Sequence, residues 1–349
     1  MGICNSASIA HKLKKFEKIS KLSQSYASDT PLWSTIIFEP ERTLYLGWRF
    51  QVEAPPILDV TEQVMVNFEH FNSAMRFSEM DIRIHIGEHS VTIEERDDAE
   101  NTRFELKRFY IDLTNFLISP PEDLEMNRAY ENMLDDILWA RVGSTRDRMD
   151  YMKYGVMLTK NSMIAMDTES AVAYIDKPTG VDIPVLLHLP WCNILEDLGE
   201  IVHIGQWESH GQNAYLRIHT EDDFILTIPV LKVYPNPSIE TYVKSFSTHL
   251  TLWVDTVTIK QLSITTDNAY KFATVYTKDG GVFIESESNT KGKTTIRVAD
   301  GDGLEDESVS VSLDFLKKIA GLTGRLDIDL DNLVGFVTNN SRTYGFALG

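Results

Sequence analysis

A chain of 349 residues, 43% hydrophobic and 24% charged, can bury two or three cores, and three units of about 115 residues would match the usual domain size. No apolar run approaches the length of a membrane span, residues 1–15 hold no signal-peptide core before their lysines begin, and two cysteines make no disulfide framework, so cytoplasmic residence without a membrane partner is expected. A formal charge of −19 argues against nucleic acid, because an acidic surface repels a polyanion, unless the charge is unevenly spread.

In chain order, the first predicted element is a helix over 13–26, preceded by Cys4 in an expected tail. Strands follow over 34–38 and 43–47, with a turn at 39–42 between them. A strand-like run at Val66 then leads into a short helix with apolar residues three apart, Phe68, Phe71, Ala74 and Phe77, and an alternating strand through Ile82, Ile84 and Ile86. The same order returns as a helix over 126–142, strands at 154–158 and 163–167, a run at Leu187, the helix Leu189, Cys192, Leu195 and Leu198, and the strand of Val202 and Ile204. It returns again as a helix over 256–270, strands at 272–276 and 282–286 around an Asp-Gly-Gly turn, a run at Val311, the helix Leu313, Leu316, Ile319 and Leu322, and the strand Leu326, Ile328 and Leu330. Period-2 alternation bounded by turn residues marks the strands, and three-apart spacing marks the helices. The short-helix runs start 121 and 124 residues apart. A solenoid unit runs to about 20–50 residues, so each copy is a small α+β domain of its own. Cys192 falls on an apolar helix face, where it serves as a small hydrophobe.

The charge is indeed uneven. The six repeat helices together carry +4 and the rest of the chain −23, with acid concentrated in loops such as 94–100 and 300–307. On the first helix, Ile9, Leu13, Phe16, Ile19 and Leu22 share one face while Lys14, Lys18 and Lys21 fall on the opposite one. Helix 126–142 carries Arg128 and Arg141 against Glu131, Asp135 and Asp136, and Arg146 and Arg148 follow in a polar connector that could reach phosphate. Lys317 and Lys318 lie between core positions Leu316 and Ile319, so at least one of them faces outward. No recognition helix with a base-reading pattern is present, so any DNA contact would be independent of sequence.

Catalytic and cofactor patterns fail on spacing. Gly292, Lys293 and Thr294 end like a phosphate-binding loop, but Glu287 stands where its first glycine belongs. Asp300, Asp302 and Glu305 would suggest calcium, yet Glu305 takes the place of the turn glycine and Val311 that of the bidentate acid. The nine histidines show no metal-ligand spacing, His203 and His210 included. No cofactor and no enzymatic activity are expected.

The three-copy layout, the junction residues Val233, Tyr234, Pro235 and Asn236, and the C-terminal Tyr344, Gly345, Phe346, Ala347 and Leu348 resemble a DNA sliding clamp of the bacterial β type, the processivity subunit of the replicative polymerase. The resemblance implies three tandem clamp domains, at 1–118, 119–236 and 237–349, with helices lining a ring and antiparallel sheets outside. It further implies a head-to-tail homodimer encircling duplex DNA, in which the 82–94 strand region meets the partner's third domain, and service to a replicative DNA polymerase and a clamp loader. Lys14, Lys18, Lys21, Arg141, Arg146, Arg148 and Lys317 would then face DNA. Partner peptides would enter a cleft matched here by Met152, Tyr154, Val172, Pro235, Phe346 and Leu348; being terminal, residues 346–349 are expected to add little to the repeated cores. Residues 166–172, Met-Asp-Thr-Glu-Ser-Ala-Val, replace the family's Thr-Asp-Gly-His-Arg-Leu, and the tail lacks the bacterial methionine, a divergence more like a phage-encoded clamp. The competing reading is an acidic three-domain scaffold that encircles nothing.

Overall fold

The repetition in the sequence is also a repetition of strand pairing. The computed structural model describes residues 3–26, 34–47, 49–77, 81–95, 102–110, 112–113, 116–167, 171–208, 213–266, 271–301 and 308–348. Among them are the helices α1 (Ser6–Tyr26), α2 (Phe68–Phe77), α3 (Met133–Ala140), α4 (Leu189–Leu198), α5 (Ser238–Lys244), α6 (Thr256–Ile264) and α7 (Leu313–Leu322). Each copy runs as a lead strand, a helix, four strands, a second helix and three strands, with α5 standing between the second and third copies. In every copy the lead strand pairs antiparallel with the first strand after the second helix. Ile3–Asn5 lies along Asp81–Ile86, Met126–Arg128 along Ile201–Glu208, and Leu250–Trp253 along Arg325–Asp329. The α+β expectation and the three copies therefore hold in the topology.

Several boundaries differ from the sequence reading, each for a local reason. Residues 3–5, expected as a tail, form a strand. The stretch 126–142 is not one helix: 126–128 is a strand, Asn132 takes a left-handed φ of 63° just before α3, and the end winds into a 3-10 turn at Arg141–Gly143. Asparagine tolerates that region better than most residues, which makes it a natural break. In the third copy α6 stops at Ile264, because the Thr266 hydroxyl turns back to donate to the Leu262 carbonyl at 2.7 Å and Thr265 bonds Ser286. Residues 267–270, Asp302, Glu305 and His210 lie outside the described residues, as do the side chains of Leu22 and Phe77.

Backbone contacts divide the chain into two compact units, one of Met1–Asp135 with Thr179–Lys232 and one of Asp136–Pro178 with Val233–Gly349. In the first unit α1 packs on α2 and α4. Phe16 centres the contact, with ring centroids 6.1 Å from Tyr45, 6.3 Å from Phe68 and 5.8 Å from Phe224. Leu13, Phe16, Ile19 and Phe71 are fully buried, and each such side chain contributes about 1.5–3 kcal/mol by leaving water. The helical period then turns Lys14, Lys18 and Lys21 to the exposed side.

In the second unit α6 packs on α7. Both begin at side-chain caps: Asp255 accepts from the Thr258 backbone N–H at 2.7 Å, and Ser312 accepts from Asp314 N–H. The strand Ala171–Asp176 pairs with the C-terminal strand Arg342–Ala347, Val172 opposite Gly345 and Tyr174 opposite Thr343. Asp136, fully buried, is held there by Lys177 at 2.7 Å and by Arg342. The C-terminal residues are core and not an accessory: Phe346 is 1% and Leu348 9% exposed, which corrects the expectation that 346–349 add little. No described helix is long and apolar enough to cross a membrane.

Candidate functional site

Two surfaces gather the residues singled out in the sequence. The first is cationic. On α1, Lys14 and Lys21 are exposed and show no ion pair among the described residues, whereas Lys18 is neutralised by Asp197 of α4 at 2.7 Å and the neighbouring Lys15 binds Asp222. In the second unit, Arg146 and Lys317, far apart in sequence, line one cavity of about 840 Å³ together with Lys271, Lys318, Ser144 and Thr145. Asp167 and Asp314 also line it, and Asp314 pairs with Lys317 at 3.1 Å. Lys317 is the outward lysine of its pair; Lys318 folds over the rings of Phe315 and Tyr344, 5.4 and 5.7 Å from their centroids. Arg148 is exposed in the turn after Arg146, and Arg141 is half-buried in the 3-10 turn. Tyr344 is fully buried with its hydroxyl unpartnered among the described residues, and burial, then the charge of Asp167, pushes its phenol far above the ordinary range.

The second surface is a groove of about 350 Å³ in the second unit, between α5 and the strands Ala171–Asp176, Val334–Asn339 and Arg342–Ala347. Alternation fixes its floor. Phe336 pairs with Gly345 and Gly345 with Val172, while Tyr174, Thr343 and Thr338 continue the same face. Val172 shares that face of the sheet and is buried, 7% exposed. Phe346 points to the other side and stacks on Phe315 of α7 at 4.6 Å. Leu348 is buried, its backbone N–H donating to the Leu333 carbonyl. Pro235 is half-buried ahead of α5, Tyr154 is half-buried, and Met152 is 42% exposed in the turn before Gly155–Leu158.

The sequence reading missed Tyr174, Lys244, Phe246 and Phe336. One signal was available: Gly345 stands between Tyr344 and Phe346 inside a strand, and glycine inside a strand marks a bulge or a close approach. Lys244 bridges Glu240 at 2.7 Å and Asp176 at 3.0 Å, and these hydrogen bonds, Glu240 first, raise its ammonium above the usual lysine range. Below the groove, His249, Asp329 and Asp331 bring ligand atoms within 4.8 Å of one another. Spacing in the sequence gave no hint of that group. Asp329 already accepts from Ser247 N–H and from the backbone and side-chain N–H groups of Asn332, and Leu330 N–H donates to His249 Nδ1. The arrangement is therefore a turn clamp.

No family model and no curated protein matches the chain. Solved structures do. The chain is similar to the DNA polymerase III β subunit of Borrelia burgdorferi in complex with a natural product, with a TM-score of 0.75 at 14% identity over 99% of this chain and 98% of that one. It is similar to the Helicobacter pylori β clamp bound to a DNA ligase peptide, with a TM-score of 0.75 at 13% identity over 99% of both chains. The Thermotoga maritima β subunit gives 0.72 at 13% identity over 99% and 98%. At such identities the likeness is one of fold, and the fold is that of the bacterial sliding clamps.

Proposed function

We propose that this protein is a DNA sliding clamp, a processivity factor without enzymatic activity that tethers a replicative DNA polymerase to duplex DNA. The observation that carries the reading is the clamp fold along essentially the whole chain, with 99% of this chain and 99% of a solved clamp covered. Two copies, each of three domains at 1–118, 119–236 and 237–349, close head to tail, with the helices turned toward the DNA. Such a ring acts by linkage: it raises the local concentration of a bound polymerase without gripping the template.

The charge pattern supports sliding. Among the described residues Lys14, Lys21, Arg146 and Lys271 are exposed and show no ion pair, while Lys15, Lys18 and Lys317 are paired with acids. Few phosphate contacts mean little counterion release and low resistance to movement. Ring closure is supported by what the sheets leave open. In the first unit the sheet containing Asp81–Ile86 ends on Arg103–Lys107, and in the second a four-stranded sheet ends on Gly292–Asp300. Ile264 and Phe272 of the second unit are 69% and 55% exposed. Unpaired edges and exposed apolar groups call for a covering partner, and a heterologous contact that closes gives a ring. The polymerase and the clamp loader dock through short apolar peptides in the α5 groove; the Helicobacter clamp, of the same fold, is bound to a DNA ligase peptide. Mass in solution tests the assembly: a dimer with a central hole in its scattering envelope is expected, and a monomer at micromolar concentration with no ring form contradicts it.

A further inference from the structure

The α5 groove already holds an aromatic ring, and the ring belongs to the chain itself. Phe246, two residues beyond α5, lies half-buried against Gly345, where an added Cβ would come within 2.7 Å of the ring. It leans on Phe336 with centroids 5.2 Å apart, and Tyr242 meets it edge-on at 4.9 Å. A strand glycine leaves room for something to approach closely, and here the visitor is a phenyl group.

We propose that Phe246 is an internal occupant of the partner groove, filling the place that an aromatic or large aliphatic side chain of a docking peptide takes. The inference rests on the reading of this groove as a peptide site and adds what the site selects. The backbone on both sides of the ring is fixed: Ser245 N–H donates to the Tyr242 carbonyl at 3.1 Å, and Ser247 N–H donates to the buried Asp329 at 2.7 Å. The ring therefore leaves by rotating about its own side-chain bonds, with no loop to rearrange. Tyr242, itself 42% exposed, packs edge-on against it. At the rim, Lys244 is already satisfied by Asp176 and Glu240, so an incoming charge finds no unpaired partner there. Recognition falls to the apolar floor of Gly345 and Phe336 beneath the ring, and an uncharged ring or branched chain matches it. Release of Phe246 then sets the affinity. A floor filled by its own ring nine-tenths of the time weakens apparent binding about tenfold.

The test is fluorescence anisotropy with two labelled apolar hexapeptides, one ending in phenylalanine and one with alanine in its place, on the full-length dimer. Phe246→Ala is expected to bind the phenylalanine peptide about tenfold tighter than the wild type and to leave the alanine peptide unchanged. Phe246→Leu, which keeps the floor covered if the alanine variant folds poorly, is expected to give an intermediate gain. Equal or weaker binding of the phenylalanine peptide to both variants overturns the proposal, since the ring would then be part of the floor and not its occupant. If every protein ignores both peptides while still being retained on circular DNA, the groove is not a peptide site. That result removes the partner reading and the occupant together, and it is distinct from equal binding.

Discussion

The two faces of the last strand, Arg342–Ala347, share one backbone and have different duties. One face carries Tyr344 and Phe346, 0% and 1% exposed, packed toward α7. The other carries Thr343, Gly345 and Ala347 and borders the groove, with Gly345 cleared for a ring. A residue's place in the alternation, more than its hydrophobicity, decides whether it is packed into the fold or faces the open groove.

The comparison breaks most visibly at Phe346. Phe346→Ala is expected to lose about 3–5 kcal/mol of stability, read from the urea midpoint of the folded protein, whereas Ala347→Ser on the opposite face shifts it by about 0.5 kcal/mol or less. A small loss at Phe346 with the larger effect at Ala347 would mean that the strand's register has been assigned one residue out.

That register is also where the sequence was least legible. Helices α2, α4 and α7 could be read to within a residue because three-apart apolar spacing over ten residues has few alternatives. The run Tyr344, Gly345, Phe346 names no face: aromatic residues on both sides of a glycine fit either orientation, and only the pairing of Val172 with Gly345 settles it. Phe246 was invisible for a different reason. It belongs to no periodic element, and its significance depends on a glycine 99 positions further on. The lysine stripe was legible from helical period, but the acids that neutralise Lys15 and Lys18 come from α4 and from the turn at Asp222, distant in sequence.

A smaller loss is expected at the clamp beneath the groove. Asp329→Ala strips acceptors from Ser247 and Asn332 and should cost about 1–3 kcal/mol, with Phe246 losing its fixed backbone. Burial alone would raise the Asp329 carboxyl, but hydrogen bonds from Asn332 and Ser247 and the neighbouring His249 outweigh it and hold it below the ordinary value. The folded state therefore binds this proton less readily than the unfolded chain, and the stabilisation is complete above the unfolded pKa of about 3.9. It disappears as pH falls from there through the depressed folded value. Urea midpoints of wild type and Asp329→Asn should accordingly converge below about pH 3.9; a gap that stays constant into acid would show that the carboxylate's charge is not what stabilises the turn.

The smallest stability effects belong to the cationic face. Lys14→Ala with Lys21→Ala should change stability by about 0.5 kcal/mol or less while reducing salt-sensitive retention on DNA. Lys18→Ala should reduce retention less than either, since Asp197 already cancels its charge. A Lys18 effect as large as the others would mean that this ion pair opens on DNA.

The central claim, encirclement, is tested most directly by topology. With the cognate loader and ATP, protein placed on nicked circular duplex DNA should stay bound through gel filtration in high salt and be released when the circle is cut once. Retention on linear and circular DNA alike, or loss from both at high salt, would show binding by contact and contradict a ring that holds DNA by linkage.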